Sequence, residues 1–137
     1  MSLKPQTQPR LSLTEAYHAT QRWLDHIGLR TVNIKEPADG VVELRSETHV
    51  ARIRINTGPV SQGAVLALLR SAQDDGLTPL LFSATGFSNG AVGFGASQHI
   101  GLFDLGEDGD IQPMNTVARS LMPDEELEPA FATPIEA

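Results

Sequence analysis

The sequence predicts an α/β domain of three layers, with helices on both faces of a mixed central sheet, in the order α-β-β-β-α-β-α-β. Three observations carry this. Two short apolar bursts, 79–84 and 99–105, flank a small-residue stretch that Ser88 can cap, which reads as strand, helix, strand and hence a parallel pair. Two alternating runs, 41–46 and 49–56, are separated only by Glu47-Thr48, the pattern of an antiparallel hairpin. Residues 13–27 and 61–74 each space their apolar side chains three and four apart, as amphipathic helices do.

In chain order, the first helix presents Leu13, Ala16, Tyr17, Thr20, Trp23, Leu24 and Ile27 on its apolar side, with Ser12 or Thr14 to cap it and Gly28 to close it. His18 and His26 stand eight apart, not at the four-residue spacing with which a helix offers zinc two ligands. Residues 29–35 alternate and read as the first strand. Residues 36–40, Glu-Pro-Ala-Asp-Gly, read as a turn, since proline fixes φ and Asp-Gly suits a tight reversal. In the hairpin, placing Val42, Leu44, Ile53 and Ile55 on the core face gathers Glu43, Arg45, Arg52, Arg54 and Asn56 on the other. After Gly58-Pro59, the second helix turns Ala64, Val65, Leu68, Leu69 and Ala72 inward. Beyond the crossover, 106–109 is an acidic turn, and 112–121 reads as a closing helix burying Met114, Val117, Ala118 and Leu121. No internal repeat is evident.

Length suits one domain with its own core: 1–11 as a flexible arm, 12–122 folded, and 123–137 as an acidic tail. Cysteine is absent, which excludes disulfides and thiolate chemistry. No apolar run is long enough to span a bilayer, and 1–10 lacks the apolar segment of a secretory signal, so the expected setting is cytoplasmic without a membrane partner. The net charge of −7 is unevenly spread: residues 1–100 carry nine Lys/Arg against eight Asp/Glu, whereas 101–137 carry one against nine. A locally positive face over 30–70 is therefore compatible with the overall sign.

Several segments carry the likeness to a family. A helix ends in IGLRTV. ADGVVEL stands where the family writes a D-G-x-x-D-like turn and strand, and RIRINTGPVSQGAV where it writes Q-x-K, a short turn and a helix. TPLLFSATGFSNGAVGFGA matches a strand, T-x-G-F and an Ala-bearing helix, and IGLFDL a last strand. Over about 13–121 the chain resembles the catalytic domain of Mrr-like restriction endonucleases, in the PD-(D/E)xK nuclease superfamily. The resemblance implies a restriction-endonuclease-like fold in which an acid holds a divalent cation and a lysine activates water. It places Glu43 at the metal carboxylate, Arg54 at the Glu/Gln position and Asn56 at the lysine position. The first-helix acid of the family falls at Tyr17, with Glu15 two residues away. Arginine supplies no oxygen to a metal, and asparagine does not carry the charge of lysine.

With two of three essential positions altered, the resemblance implies a catalytically inactive domain. It would act in DNA binding or as a non-cutting subunit or regulator, with Arg45, Arg52 and Arg54 on phosphate and no cofactor. The alternative is an active Mg-dependent endonuclease with Glu43 as metal ligand. A third reading is a protein interaction module that meets its partner through the acidic tail or its Leu127, Phe131 and Ile135, with homodimerisation through a sheet edge or the apolar third helix. The same arginines equally suit cross-strand pairing with Glu43 and Glu47. Gly86, Gly90, Gly93 and Gly95 lack the order of a dinucleotide fingerprint, Ser83, Thr85 and Ser88 lack a nucleophile elbow, and 104–110 lacks calcium-loop spacing.

Overall fold

The computed structural model describes residues 12–38, 41–55 and 58–122, with the backbone alone over 34–38. Asn56, the Asp39-Gly40 turn, the N-terminal arm and the C-terminal tail with Leu127, Phe131 and Ile135 lie outside the described residues. The elements are α1 (Leu13–His26), β1 (Val32–Ala38), β2 (Val41–Arg45), β3 (His49–Arg54), α2 (Gln62–Asp75), β4 (Thr78–Ser83), α3 (Asn89–Ser97), β5 (Gly101–Leu105), β6 (Ile111–Pro113) and α4 (Thr116–Arg119). They form a mixed α/β structure around one six-stranded sheet ordered β1 to β6. The β1–β2, β2–β3 and β5–β6 pairs are antiparallel, while β3–β4 and β4–β5 are parallel.

Strand alternation divides the interior in two. Val42, Leu44, Ala51, Ile53, Leu80, Phe82, Phe103 and Leu105 pack with Ala16, Trp23 and Leu24 of α1 and Ala118 of α4. Val50, Leu81 and Leu102 point the other way, onto Val65, Leu68 and Ala72 of α2 and Ala91 of α3. Trp23, Phe82 and Phe103 anchor the first layer. The two phenylalanines stack with centroids 4.7 Å apart, and the indole lies 4.9 Å from Phe103. Burying each ring contributes on the order of 2–3 kcal/mol, with roughly 1 kcal/mol more per well-placed ring pair.

Helix α1 starts with a reciprocal cap: Glu15 N–H donates to Ser12 Oγ at 3.1 Å, and Ser12 N–H donates to Glu15 Oε1 at 3.0 Å. Two expectations are corrected. The first strand is not 29–35 followed by a turn but runs over Val32–Ala38 through Pro37, as an irregular outer strand with register shifts on either side of Lys35. The closing helix expected over 112–121 splits into β6, paired to β5, and the four-residue α4. Asn115 makes the break, because its Nδ2 donates to Ile100 O at 2.8 Å while its Oδ1 accepts from Ala118 N–H at 2.9 Å, capping α4.

The structure also shows a repeat that a continuous register hides. TGPVSQGAV (57–65) and TGFSNGAV (85–92) differ by one inserted proline and two replacements, Val60 against Phe87 and Gln62 against Asn89, and each leads from a parallel strand into a helix. Gly58 and Gly86 both take left-handed backbone, at φ +76° and +86°. That conformation strains any residue with a Cβ. Ser61 and Ser88 then accept from the N–H groups of Ala64 and Ala91 at 3.2 and 3.0 Å. The two loops are bonded to each other: Val60 N–H donates to Gly86 O, Ser88 N–H to Val60 O, and Thr85 Oγ1 to Gly58 O at 2.6 Å.

Candidate strand-face site

The β2–β3 register sets the chemistry of the face opposite α1. Glu43 lies directly across from Arg52, and Val41 across from Arg54. Because Val42, Leu44, Ala51 and Ile53 are claimed by the α1 layer, the intervening Glu43 and Arg52 are turned toward α2 and α3. Glu43 is 3% exposed. Arg52 Nη2 donates to its Oε2 at 2.8 Å, with Nε at 3.3 Å from the same oxygen. Arg45 Nη2 is 3.9 Å from Glu43 Oε1 and 2.7 Å from Asp75 Oδ2 at the end of α2.

A buried carboxylate carries a desolvation cost of several kcal/mol that only a close, hydrogen-bonded counter-ion offsets. Arg52 is that counter-ion, and Arg45 extends the network to α2. The four charges, Glu43 and Asp75 against Arg45 and Arg52, sum to zero. One donor is left over, since Arg45 Nε is buried with no hydrogen-bond partner.

Of the residues singled out by sequence, the structure thus joins Glu43, Arg45 and Arg52. Arg54 shares their face two positions further along β3, opposite Val41 and Ser83, and forms no ion pair among the described residues. Asn56 lies outside the described residues. Asp75 was not singled out, because no local pattern links residue 45 to residue 75. The Glu43–Arg52 pair was legible in the hairpin spacing. Glu47 forms no ion pair among the described residues.

The donor set does not fit a divalent cation. Magnesium asks for about six oxygens in a regular shell. Here Glu43 Oε2 already accepts from a guanidinium, a second guanidinium faces Oε1, and Arg54 adds positive charge to the same face. Among the described residues no group of three or more His, Asp or Glu side chains is disposed to hold a metal.

The hydroxyls beyond β4 are engaged in the fold. Ser83 Oγ donates to Gly86 O and accepts from Thr85 N–H, and Ser88 caps α3. His49 opens β3, its Nδ1 2.7 Å from Thr48 Oγ1, and its pKa is lowered by burial. Among the described residues no helix is long and apolar enough to cross a membrane. No family model, curated protein or solved structure matches the chain.

Proposed function

We propose that the chain is a restriction-endonuclease-like domain of the Mrr type that does not hydrolyse phosphodiesters, and that it meets nucleic-acid phosphate through Arg54. One observation carries this reading: the buried carboxylate at the metal-binding position of the resemblance is clasped by Arg52 at 2.8 Å. A guanidinium there supplies the positive charge that a cation would bring, but it can neither polarise a phosphate as a Lewis acid nor generate hydroxide. The mixed sheet supports the reading as a scaffold, and function is argued from the site alone.

Among the three arginines, Arg45 and Arg52 are held by Glu43 and Asp75, whereas Arg54 has no ion-pair partner among the described residues and is the one assigned to an anionic partner. Each phosphate neutralised by an arginine contributes a slope of about −0.9 to log K against log salt on duplex DNA. Binding through Arg54 therefore has a shallow salt dependence, and Arg54→Ala removes about one unit of it.

Plasmid incubated with Mg²⁺ or Mn²⁺ tests the hydrolytic half. No nicking above that of a Glu43→Ala preparation is expected, and metal-dependent nicking that Glu43→Ala abolishes would overturn it. Fluorescence anisotropy with duplex and single-stranded DNA tests the other half, where an absence of binding at low salt ends the phosphate assignment.

A further inference from the structure

A second feature lies away from the strand face and does not rest on the nuclease reading. Between the outer surface of α1 and the turn joining β5 to β6 is a cleft of about 390 Å³. That is within the size range of small-ligand sites. Both walls are held in place. On one side, the Ser12–Glu15 cap fixes the first turn of α1. On the other, Gly106 N–H donates to Asp110 O at 2.8 Å, and Asp110 N–H to Asp108 Oδ1 at 3.2 Å. The turn rests on the helix at Gly109, where a Cβ would come within 3.4 Å of Ala19 Cβ.

The charges in this cleft are unequally engaged. Glu15 is used by the helix cap and Asp108 by its own turn. Arg22 on the helix wall and Glu107 on the turn wall line the same space, yet neither forms an ion pair with a described residue. His18 lies one helical turn before Arg22. Two opposite charges that face one cleft and stay more than 4 Å apart present a bipolar recess rather than a salt bridge.

We propose that the cleft binds a small zwitterion, a free amino acid or a short peptide, with its carboxylate on Arg22 and its ammonium group against Glu107. Arginine presents a planar fork of N–H donors to a carboxylate, and the acidic wall favours a primary ammonium. The site favours ligands with both charges in one molecule over neutral ones, and a ligand with only a carboxylate is disfavoured by the acidic lining.

Titration of the ¹⁵N-labelled full chain with alanine, alanyl-alanine and the N-acetylated, C-amidated dipeptide tests this. Expected are saturable amide shifts confined to 14–22 and 106–110 for alanine or alanyl-alanine, and none for the blocked dipeptide. Whichever free ligand gives the tighter curve distinguishes amino acid from peptide. Arg22→Gln and Glu107→Gln, both at exposed positions, each weaken binding about tenfold, the worth of one charge-assisted hydrogen bond. Unchanged amide peaks elsewhere confirm that the variants stay folded. No saturable shifts with either free ligand, equal shifts with the blocked dipeptide, or full retention of binding in both variants would overturn the assignment.

Discussion

The β3–α2 and β4–α3 units share a loop and a cap but not a chemistry. Each leaves its strand through a left-handed glycine and enters its helix through a serine that accepts from an alanine N–H. The strands end in register, with Arg54 opposite Ser83. Ser83 turns back to bond its own loop, whereas Arg54 has no ion-pair partner among the described residues. Helix α2 ends in Asp75, which holds Arg45, while α3 carries no charged residue. One frame therefore serves two purposes: beside the hairpin it organises ions, and beside β5 it packs. What separates the two is the last side chain of the strand and the far end of the helix, not the loop.

The sharpest way to break this comparison is to remove the ionic chemistry from the first unit alone. Arg52→Ala leaves buried Glu43 with only the 3.9 Å contact to Arg45 and lowers unfolding free energy by about 3 kcal/mol, read by urea denaturation. Replacing the pair together, as Glu43→Leu with Arg52→Met, restores most of that loss, because apolar residues of similar volume need no compensation. A double variant no more stable than Arg52→Ala would show that the network does more than neutralise itself.

In the second unit the matching test is packing. A Cβ at Gly95 would lie 2.8 Å from Leu102 Cδ1, and Leu102 is fully buried. Gly95→Ala is expected to cost about 1–3 kcal/mol through overpacking. Gly93→Ala, with nothing within 4 Å, is expected to stabilise by up to about 1 kcal/mol on helix propensity. The same sign for both substitutions would mean that α3 does not lie against Leu102.

The shared part of the two units is tested by Ser61→Ala and Ser88→Ala, each expected to cost about 1 kcal/mol in the same denaturation assay. Clearly unequal losses would mean that the loops are alike in sequence but not in load.

The smallest effect concerns His49, outside both loops. Burial lowers its folded pKa below the usual imidazole value of about 6.5. The unfolded chain then binds more protons as pH falls through that value, so stability declines toward acid pH and is unaffected well above it. His49→Gln should flatten the stability profile on the acid side. A profile unchanged by the substitution would remove His49 from the account.

Much of this was readable from residues. The hairpin of β2 and β3, the inward Val42, Leu44 and Ile53, and the gathering of Glu43, Arg45 and Arg52 on one face all follow from a period of two. The elements that escaped did so for physical reasons. Met114, Val117, Ala118 and Leu121 have helical spacing, but the Asp108-Gly109 turn and the β5 edge draw 111–113 into a strand, and Asn115 ends it. Pro59 shifts one copy of the loop by a residue, which conceals the repeat from any comparison at constant spacing. Asp75 was invisible as a partner because its contact with Arg45 depends on how α2 lies across the sheet.

The outer strands have a consequence for how copies of this chain behave together. β1 is interrupted twice in its pairing and includes a proline, which has no N–H to lend, and β6 is three residues long and closes on another proline. Among the described residues neither rim offers a long straight ladder on which another strand could template. Among the described residues, the two rims of the sheet are thus poor templates for cross-β stacking.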